Sequence, residues 1–289
     1  MSSVKMIILD LDGTLLRSDK TVSERTLRTL QKCRNRGIIV VIATARFWIG
    51  AEKYIRLIRP DYEITTDGTM IHRSESLDTA HTRAGCHNVR ISEGDCPKPG
   101  LNQQTEENLV YRCGMDLQTT NRLIKLIQAA DTQAEITTAV GKRVYWNNLH
   151  IAESEKLYKA IYCDYQKPLT EAACKIAACL PDKKTAQDIA DACDLKLISY
   201  RDENFYAFIA PAAGKLQAIR ALASSLGISM EETAAFGDDE NDLDMLQACG
   251  KGIAVANALE LVRDAADEVC KDNDSDGVAM WLEENVLVS

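Results

Sequence analysis

The sequence predicts an α/β fold, a doubly wound parallel sheet core with an inserted α+β segment. Three observations predict it. Two short apolar runs rich in β-branched residues, VKMIILDL at 4–11 and IIVVIA at 38–43, flank an amphipathic helix. Such runs are expected of parallel strands buried on both faces. Strand and helix patterns alternate again from about residue 215 to the C-terminal end. Between these regions the pattern changes to hairpins, which imply antiparallel pairing.

In chain order, the first helix lies between the two apolar runs. Thr21 and Glu24 have capping-box spacing, Leu27 and Leu30 form its apolar stripe, and Gly37 stops it. Residues 83–100 are polar and carry Gly85, Gly94, Pro97, Pro99 and Gly100, the composition of a linker. A strand near 108–113, a helix near 117–130 and a hairpin over 136–147 turning near Gly141 follow. Residues 173–180, a helix at 183–193 and a hairpin at 195–210 complete the insertion. The second core segment begins with Leu216, Ile219, Leu222 and Leu226 at helical spacing, stopped by Gly227. The strand TAAFG (233–237), a helix around 241–248 and the strand GIAVA (252–256) come next. A helix near 257–265, a strand around Val269 and a helix carrying Val278, Trp281 and Leu282 close the chain. The expected division is 1–82 with 208–289 as core, and 83–207 as insertion.

Bulk properties bound the function. The chain has 289 residues and a formal net charge of -9. That balance argues against a nucleic-acid or anionic-membrane surface, since both need clustered positive charge. No apolar stretch reaches the length of a membrane span. The first residues do not read as a signal peptide, because Asp10 and Asp12 break the apolar run. Ten cysteines are scattered without a CxxC pair. Reduced thiols, mostly small core residues of a cytoplasmic protein, are therefore expected.

Four motifs carry chemistry. In DLDGT (10–14), Asp10 and Asp12 are two residues apart and face the same way if the strand continues. Close carboxylates favour a shared proton or a cation. One suits a nucleophile and metal ligand, the other proton transfer; alone, the motif also reads as an acidic turn after a strand. Thr44, Ala45 and Arg46 follow the buried strand at its carboxyl end, where open α/β sheets bind ligands. Taken alone, Thr44 also reads as an ordinary helix cap. Lys215 opposes the dipole of the helix it begins, a conflict that a phosphate would remove; alone, it also reads as a solvated lysine. GDDENDLDML (237–246) gathers Asp238, Asp239, Glu240, Asp242 and Asp244 at a strand-to-helix turn. Hard oxygen ligands of this kind suit magnesium, although acids also simply favour a helix start.

Together, DLDGTLL, IATAR, the Lys215 helix and GDDENDLDML resemble the four motifs of the haloacid dehalogenase-like superfamily, Cof-type branch. The closing pattern GIAVANA, ADEV and DGVA (252–258, 266–269, 276–279) shares the resemblance. It implies a Rossmann-like core with a large α/β cap inserted between the second and third motifs. It further implies that Asp10 attacks phosphorus, that Asp12 protonates the leaving oxygen and then activates water, and that Mg²⁺ is the cofactor. The ion would be held by Asp10, the Asp12 carbonyl and Asp238, with Asp242 supporting its shell. Thr44, the Ala45 and Leu11 amides, Lys215 and Asn241 would hold phosphoryl oxygens, and Arg46 would contact substrate. The chain departs from the pattern in three places. Ala45 stands where Gly is usual, Leu216 follows the lysine where Gly is usual, and Asp67 stands where Asn is usual. An added negative charge at 67 is unfavourable beside an anionic substrate unless it points away or pairs with a cation.

The expected function is a Mg²⁺-dependent phosphatase of a small phosphorylated metabolite such as a sugar phosphate. A phosphomutase or phosphotransferase on the same scaffold and a non-catalytic phosphate sensor are the alternatives. The expected partner is a small phosphate ester, with no nucleic acid or membrane, and the chain a monomer or homodimer. Within the cap, His81, His87, Arg143, Tyr145 and Trp146 could select substrate, though each reads better as a surface or cap-core residue, and the cap is expected to close over the site.

Overall fold

The computed structural model describes residues 4–74, 108–148, 159–200 and 204–288. The first core elements are β1 (Met6–Leu9), α1 (Glu24–Asn35), β2 (Ile39–Ala43), α2 (Trp48–Ile58), β3 (Tyr62–Thr65), β4 (Met70–Arg73) and β5 (Leu109–Arg112). A second group comprises α3 (Leu117–Ala130), β6 (Ile136–Val140), β7 (Arg143–Trp146), β8 (Ile161–Tyr162), β9 (Lys175–Cys179), α4 (Lys183–Ala192), β10 (Lys196–Ser199) and β11 (Phe205–Ile209). The chain returns to the core with α5 (Lys215–Ser225), β12 (Thr233–Gly237), α6 (Leu243–Ala248), β13 (Lys251–Val255), α7 (Glu260–Ala265), β14 (Glu268–Cys270) and α8 (Gly277–Asn285).

The core sheet has eight strands in the order β14-β13-β12-β1-β2-β3-β4-β5. Pairing is parallel from β14 to β3 and antiparallel from β3 to β5. From β1 the chain winds outward through β2 and β3, then returns to the opposite side of β1 as β12. The strand order therefore reverses between β1 and β12, the position where such sheets open a crevice at their carboxyl ends. Both strands are buried along their whole length, which accounts for their unbroken apolar sequence. α1 packs on α8, and α5 on α6. Phe236 of β12 meets Trp281 of α8 edge to face, with ring centroids 5.3 Å apart.

The second sheet has six strands in the order β10-β11-β9-β6-β7-β8. All its pairs are antiparallel except β7 with β8. α3 packs against α4, and Leu123, Ile127, Ile176, Ile189 and Phe208 share one apolar core.

The α/β core, the α+β middle and the returning α/β segment follow the sequence expectation, with local differences. β5 hydrogen-bonds to β4 in the core sheet, although the expected division counts 109–112 as insertion. The expected boundary at 207/208 falls inside β11, a strand of the six-stranded sheet. The cap of α1 is Ser23, whose hydroxyl accepts from the Thr26 N–H at 3.0 Å. Thr21 instead donates to Asp19 Oδ1 in the preceding turn. Gly37 ends the helix as expected, at φ +93°. Its N–H donates to Arg34 and that of Ile38 to Cys33, the paired bonds of a Schellman stop. Five cysteines, Cys33, Cys174, Cys193, Cys249 and Cys270, are buried core thiols. Cys113 differs from the expectation in being disulfide-bonded. The linker reading at 83–100 lies outside the described residues. Among those residues, no helix is long and apolar enough to cross a membrane.

Phe236→Ala empties the junction of β12 with α8 and is expected to cost about 3–5 kcal/mol of stability. Leu261→Ala on the exposed side of α7 is expected to stay within about 0.5 kcal/mol. Chemical denaturation of the two variants checks the contrast.

Candidate active site

Asp10 follows the last residue of β1, and its N–H donates to the Phe236 carbonyl at 3.1 Å. The strand stops there, and the chain turns through Gly13 at φ +78°. A Cβ on Gly13 would lie 2.3 Å from Asp238 Oδ2, so only glycine lets the first motif close against the fourth. Thr14 completes that contact by donating to Asp238 Oδ1 at 2.8 Å. Asp238 itself follows the end of β12.

Lys215 is the first residue of α5, and its side chain is buried. Its Nζ lies 2.6 Å from Asp10 Oδ1 and 2.7 Å from Asp242 Oδ1. Two carboxylates thus relieve the conflict between a lysine and the start of its helix. Burial alone would lower the pKa of this ammonium, but Asp10 and Asp242 reverse that and hold it above its ordinary value. The other oxygen of Asp242 accepts from the N–H groups of Asp238 and Asp239, at 3.1 and 3.3 Å. Both Asp242 oxygens are therefore engaged within the protein.

Asp10, Asp238 and Asp242 each offer an oxygen within 4.8 Å of the others'. Three carboxylates share a single ammonium. Burial, then the neighbouring charges of Asp242 and Asp238, raise the Asp10 pKa well above its usual range, against the pull of Lys215. Burial also pushes Asp238 up to about 6, despite the Thr14 hydrogen bond. Such crowding is what a bound divalent cation would relieve, and the oxygen donors suit one. The residues present fit a metal.

Asp12 stands apart from this cluster. The expected common orientation with Asp10 fails because the strand does not continue past Leu9. Arg46 grips the Asp12 carboxylate with two bonds, Nε to Oδ2 at 2.5 Å and Nη2 to Oδ1 at 2.7 Å, and Lys20 adds a third at 2.9 Å. Burial would raise the Asp12 pKa, but Arg46 and then Lys20 bring it down to about 2. Arg46, expected as a substrate contact, is thus an ion-pair partner of Asp12. Thr44 is buried at the end of β2, and its hydroxyl accepts from the Arg46 N–H at 3.1 Å. It does not cap α2, whose N-cap is Phe47. Leu11 is buried, with its carbonyl accepting from Leu15 and Leu16.

A cleft of about 200 Å³ opens beside Lys215. Asn241, Asp67, Gly214, Lys196, Glu240 and Asp244 contribute to its walls. Asp67 is paired: Lys175 Nζ of β9 lies 2.5 Å from its Oδ2, and the Tyr200 hydroxyl donates to the same oxygen at 2.9 Å. Lys175 also donates to the Ala45 carbonyl at 3.0 Å. Sequence reasoning missed Lys175, Tyr200 and Lys196. A lysine inside the apolar run CKIAAC (174–179) is the signal that could have found the first. The cap residues weighed as selectors are engaged elsewhere. Arg143 pairs with Glu171, and Trp146 donates to Glu135. Tyr145 lines a separate cleft with Cys163 and Lys167. None of the three lines the cleft beside Lys215. His81 and His87 lie outside the described residues.

A family model described as haloacid dehalogenase-like hydrolase matches residues 7–84 and 100–282. The chain is 28% identical to the phosphatase YwpJ of Bacillus subtilis, over 96% of this chain and 99% of the relative. It is 25% identical to the 5-amino-6-(5-phospho-D-ribitylamino)uracil phosphatase YitU of the same organism, over 96% of each chain. In structure it is similar to a haloacid dehalogenase-like hydrolase from Bacteroides thetaiotaomicron, with TM-score 0.74, 24% identity and coverage of 98% and 99%. The subclass IIB sugar phosphatase BT4131 superposes with TM-score 0.75 at 17% identity, covering 99% of this chain and 100% of that one.

The raised Asp238 pKa, about 6 against 3.8, means that the folded chain holds more protons than the unfolded chain between those values. The metal-free protein therefore loses stability as pH rises through that window. A cation replaces the proton, so its binding strengthens over the same window. Mg²⁺ is accordingly expected to raise the melting temperature more at about pH 7.5 than at about pH 5. Equal increments at the two pH values would contradict a cation site at these carboxylates.

Proposed function

The chain belongs to the haloacid dehalogenase-like hydrolase family, and on that premise we propose that it is a phosphatase that cleaves small phosphorylated metabolites through a phosphorylated Asp10. The phosphatase names of its full-length relatives support the class of reaction. The observation that carries the mechanism is the separation of the two acids. Asp10 is buried against Lys215 in the carboxylate cluster, while Asp12 is held on the outer side by Arg46 and Lys20.

In this reading an Asp10 oxygen attacks phosphorus and the ester P–O bond breaks. Asp12 gives its proton to the leaving oxygen. Water then attacks the acyl phosphate and passes a proton to Asp12. Inorganic phosphate departs and both carboxyl groups return to their starting forms. The first step needs Asp12 protonated, and its pair with Arg46 holds it ionised. A substrate phosphate that competes for Arg46 would weaken that pair and restore the proton donor. Lys215, Thr44, Asn241 and the Leu11 and Ala45 N–H groups would surround the phosphoryl oxygens, the positioning such transfers rely on.

Asp10, Asp238 and the Asp12 carbonyl would hold Mg²⁺. Asp242, both of whose oxygens already accept hydrogen bonds, would act by orienting Asp238 and Lys215. When bound, the ion supplies neutralisation of charge on the phosphoryl oxygens. The six-stranded unit would roof the cleft and keep bulk water from the acyl phosphate.

Hydrolysis of p-nitrophenyl phosphate with Mg²⁺ tests the proposal. Asp10→Asn is expected to fall to background. Asp12→Asn is expected to lower kcat on an alkyl phosphate by about 10²–10⁴-fold, and less on the nitrophenyl ester, whose leaving group needs no proton. Wild-type turnover no greater than that of Asp10→Asn would refute it.

A further inference from the structure

Three turns meet beside the carboxylate cluster. The turn after β1 carries Asp10 and Asp12, and the turn after β12 carries Asp238. The third runs from β13 to α7 and folds back on itself, with the Ala258 N–H donating to the Val255 carbonyl at 2.9 Å. It binds both of the others. The Leu259 N–H donates to the Asp238 carbonyl at 3.0 Å. Asn257 Nδ2 donates to the Gly13 carbonyl at 2.7 Å.

Asn257 is an exposed residue, yet both ends of its amide are engaged. Its Oδ1 accepts from the Asn273 N–H at 3.0 Å. A carbonyl only accepts and an N–H only donates, so these partners fix which end of the amide faces which. Asn273 in turn donates from Nδ2 to the Leu16 carbonyl at 2.8 Å, where the first turn ends. The need for such an outside grip comes from Gly13. Close approach of Asp238 leaves no room for a Cβ there, and a glycine at φ +78° has little of its own to hold its peptide units in place. The Asp12 and Gly13 carbonyls lie on adjoining planar peptide units, separated only by the φ and ψ of Gly13. Holding one carbonyl therefore restrains the other.

We propose that Asn257 is a positioning residue that sets Mg²⁺ affinity by fixing the Gly13 carbonyl, and through it the Asp12 carbonyl, against Asp238. The inference rests on the reading in which Asp10, the Asp12 carbonyl and Asp238 hold the ion. Asn257 acts through the backbone of Gly13 and offers no ligand of its own. Mg²⁺ demands a near-ideal octahedron of oxygens, so a carbonyl free to swing loses part of its contribution. The same turn holds Asp238 through Leu259, so the separation of the two ligand-bearing turns is set from one place. Residues that orient metal ligands in this way typically change affinity by about 10–100-fold when removed.

Calorimetric titration of Mg²⁺ into the metal-free, full-length chain tests the idea. Asn257→Ala is expected to raise the Kd for Mg²⁺ by about tenfold or more. Its kcat on p-nitrophenyl phosphate at saturating Mg²⁺ is expected to stay close to that of the wild type, because excess cation refills the site. Asn257→Ser, whose hydroxyl stops one bond short of the amide's reach, is expected to match it and serves if Asn257→Ala does not fold. Ser18→Ala is the comparison. Ser18 Oγ donates to Asp274 Oδ2 at 2.7 Å and so ties the segment after the first turn to the loop after β14 without touching Gly13. Ser18→Ala is expected to leave the Kd unchanged. An unchanged Kd in the Asn257 variants overturns the proposal, whether or not kcat falls. An equal rise in Ser18→Ala overturns it too, since the effect would then belong to loop tethering in general. A wild type that binds no Mg²⁺ removes the metal reading and this inference together. The binding measurement decides the inference even if p-nitrophenyl phosphate turnover proves no greater than that of Asp10→Asn, the result that refutes the phosphatase reading.

Discussion

A single buried ammonium holds the site together. Lys215 reaches Asp10 at the end of β1 and Asp242 just beyond β12, and so ties the starts of two sequence-distant segments to one helix. Breaking such a pair leaves an uncompensated charge in the interior, which is far more costly than the pair is favourable. The neighbouring features serve this arrangement. Gly13 and Gly237 have no Cβ because the side chains of Asp238 and Asp242 fill that space. Two backbone N–H groups hold Asp242 from the other side. With three carboxylates around one ammonium, the cluster has a deficit of positive charge that a divalent cation matches.

The core was legible in the sequence wherever local chemistry and global position agree. β1, β2 and β12 are unbroken apolar runs because both faces of each strand are covered, and Gly37 and Gly227 mark helix ends because a left-handed residue is needed there. Asp10, Lys215, Asp238 and Asp242 share one cluster because each lies at a strand end or helix start on the same edge of one sheet. What stayed hidden depends on partners far away in sequence. Nothing local distinguishes Thr21 from Ser23 as a cap, or shows that residues 109–112 pair with β4. Nor does anything local show that Arg46 shares an ion pair with Asp12, 34 positions away. Arg143, Tyr145 and Trp146 attract notice as cationic and aromatic residues, yet their strand runs on the far side of the second sheet from β10, whose residues line the cleft.

Asp67 shows how a departure from a family pattern can be absorbed. A carboxylate placed beside an anion-binding segment is unfavourable alone. Here the opposite charge comes from β9 of the other sheet, and Tyr200 bridges the pair. Lys175 accordingly interrupts an otherwise apolar strand, and its ammonium sits over the faces of Phe47 and Tyr200. The two units are joined at the cleft by buried charge as well as by packing, and that contact also reaches the carbonyl of Ala45.

The two members of the central ion pair, Asp10 and Lys215, are 205 positions apart. During synthesis the first core segment emerges long before its partners, and β1 must wait with one edge uncovered until β12 arrives. The intervening six-stranded unit, whose strands all lie between β6 and β11 in the chain, can form in that interval. A ribosome-bound chain that ends before residue 233 would therefore carry Asp10 on a half-sheet with an open hydrogen-bonding edge, the state most exposed to aggregation. Competence for chemistry and protection of the sheet arrive together, once β12 has been made.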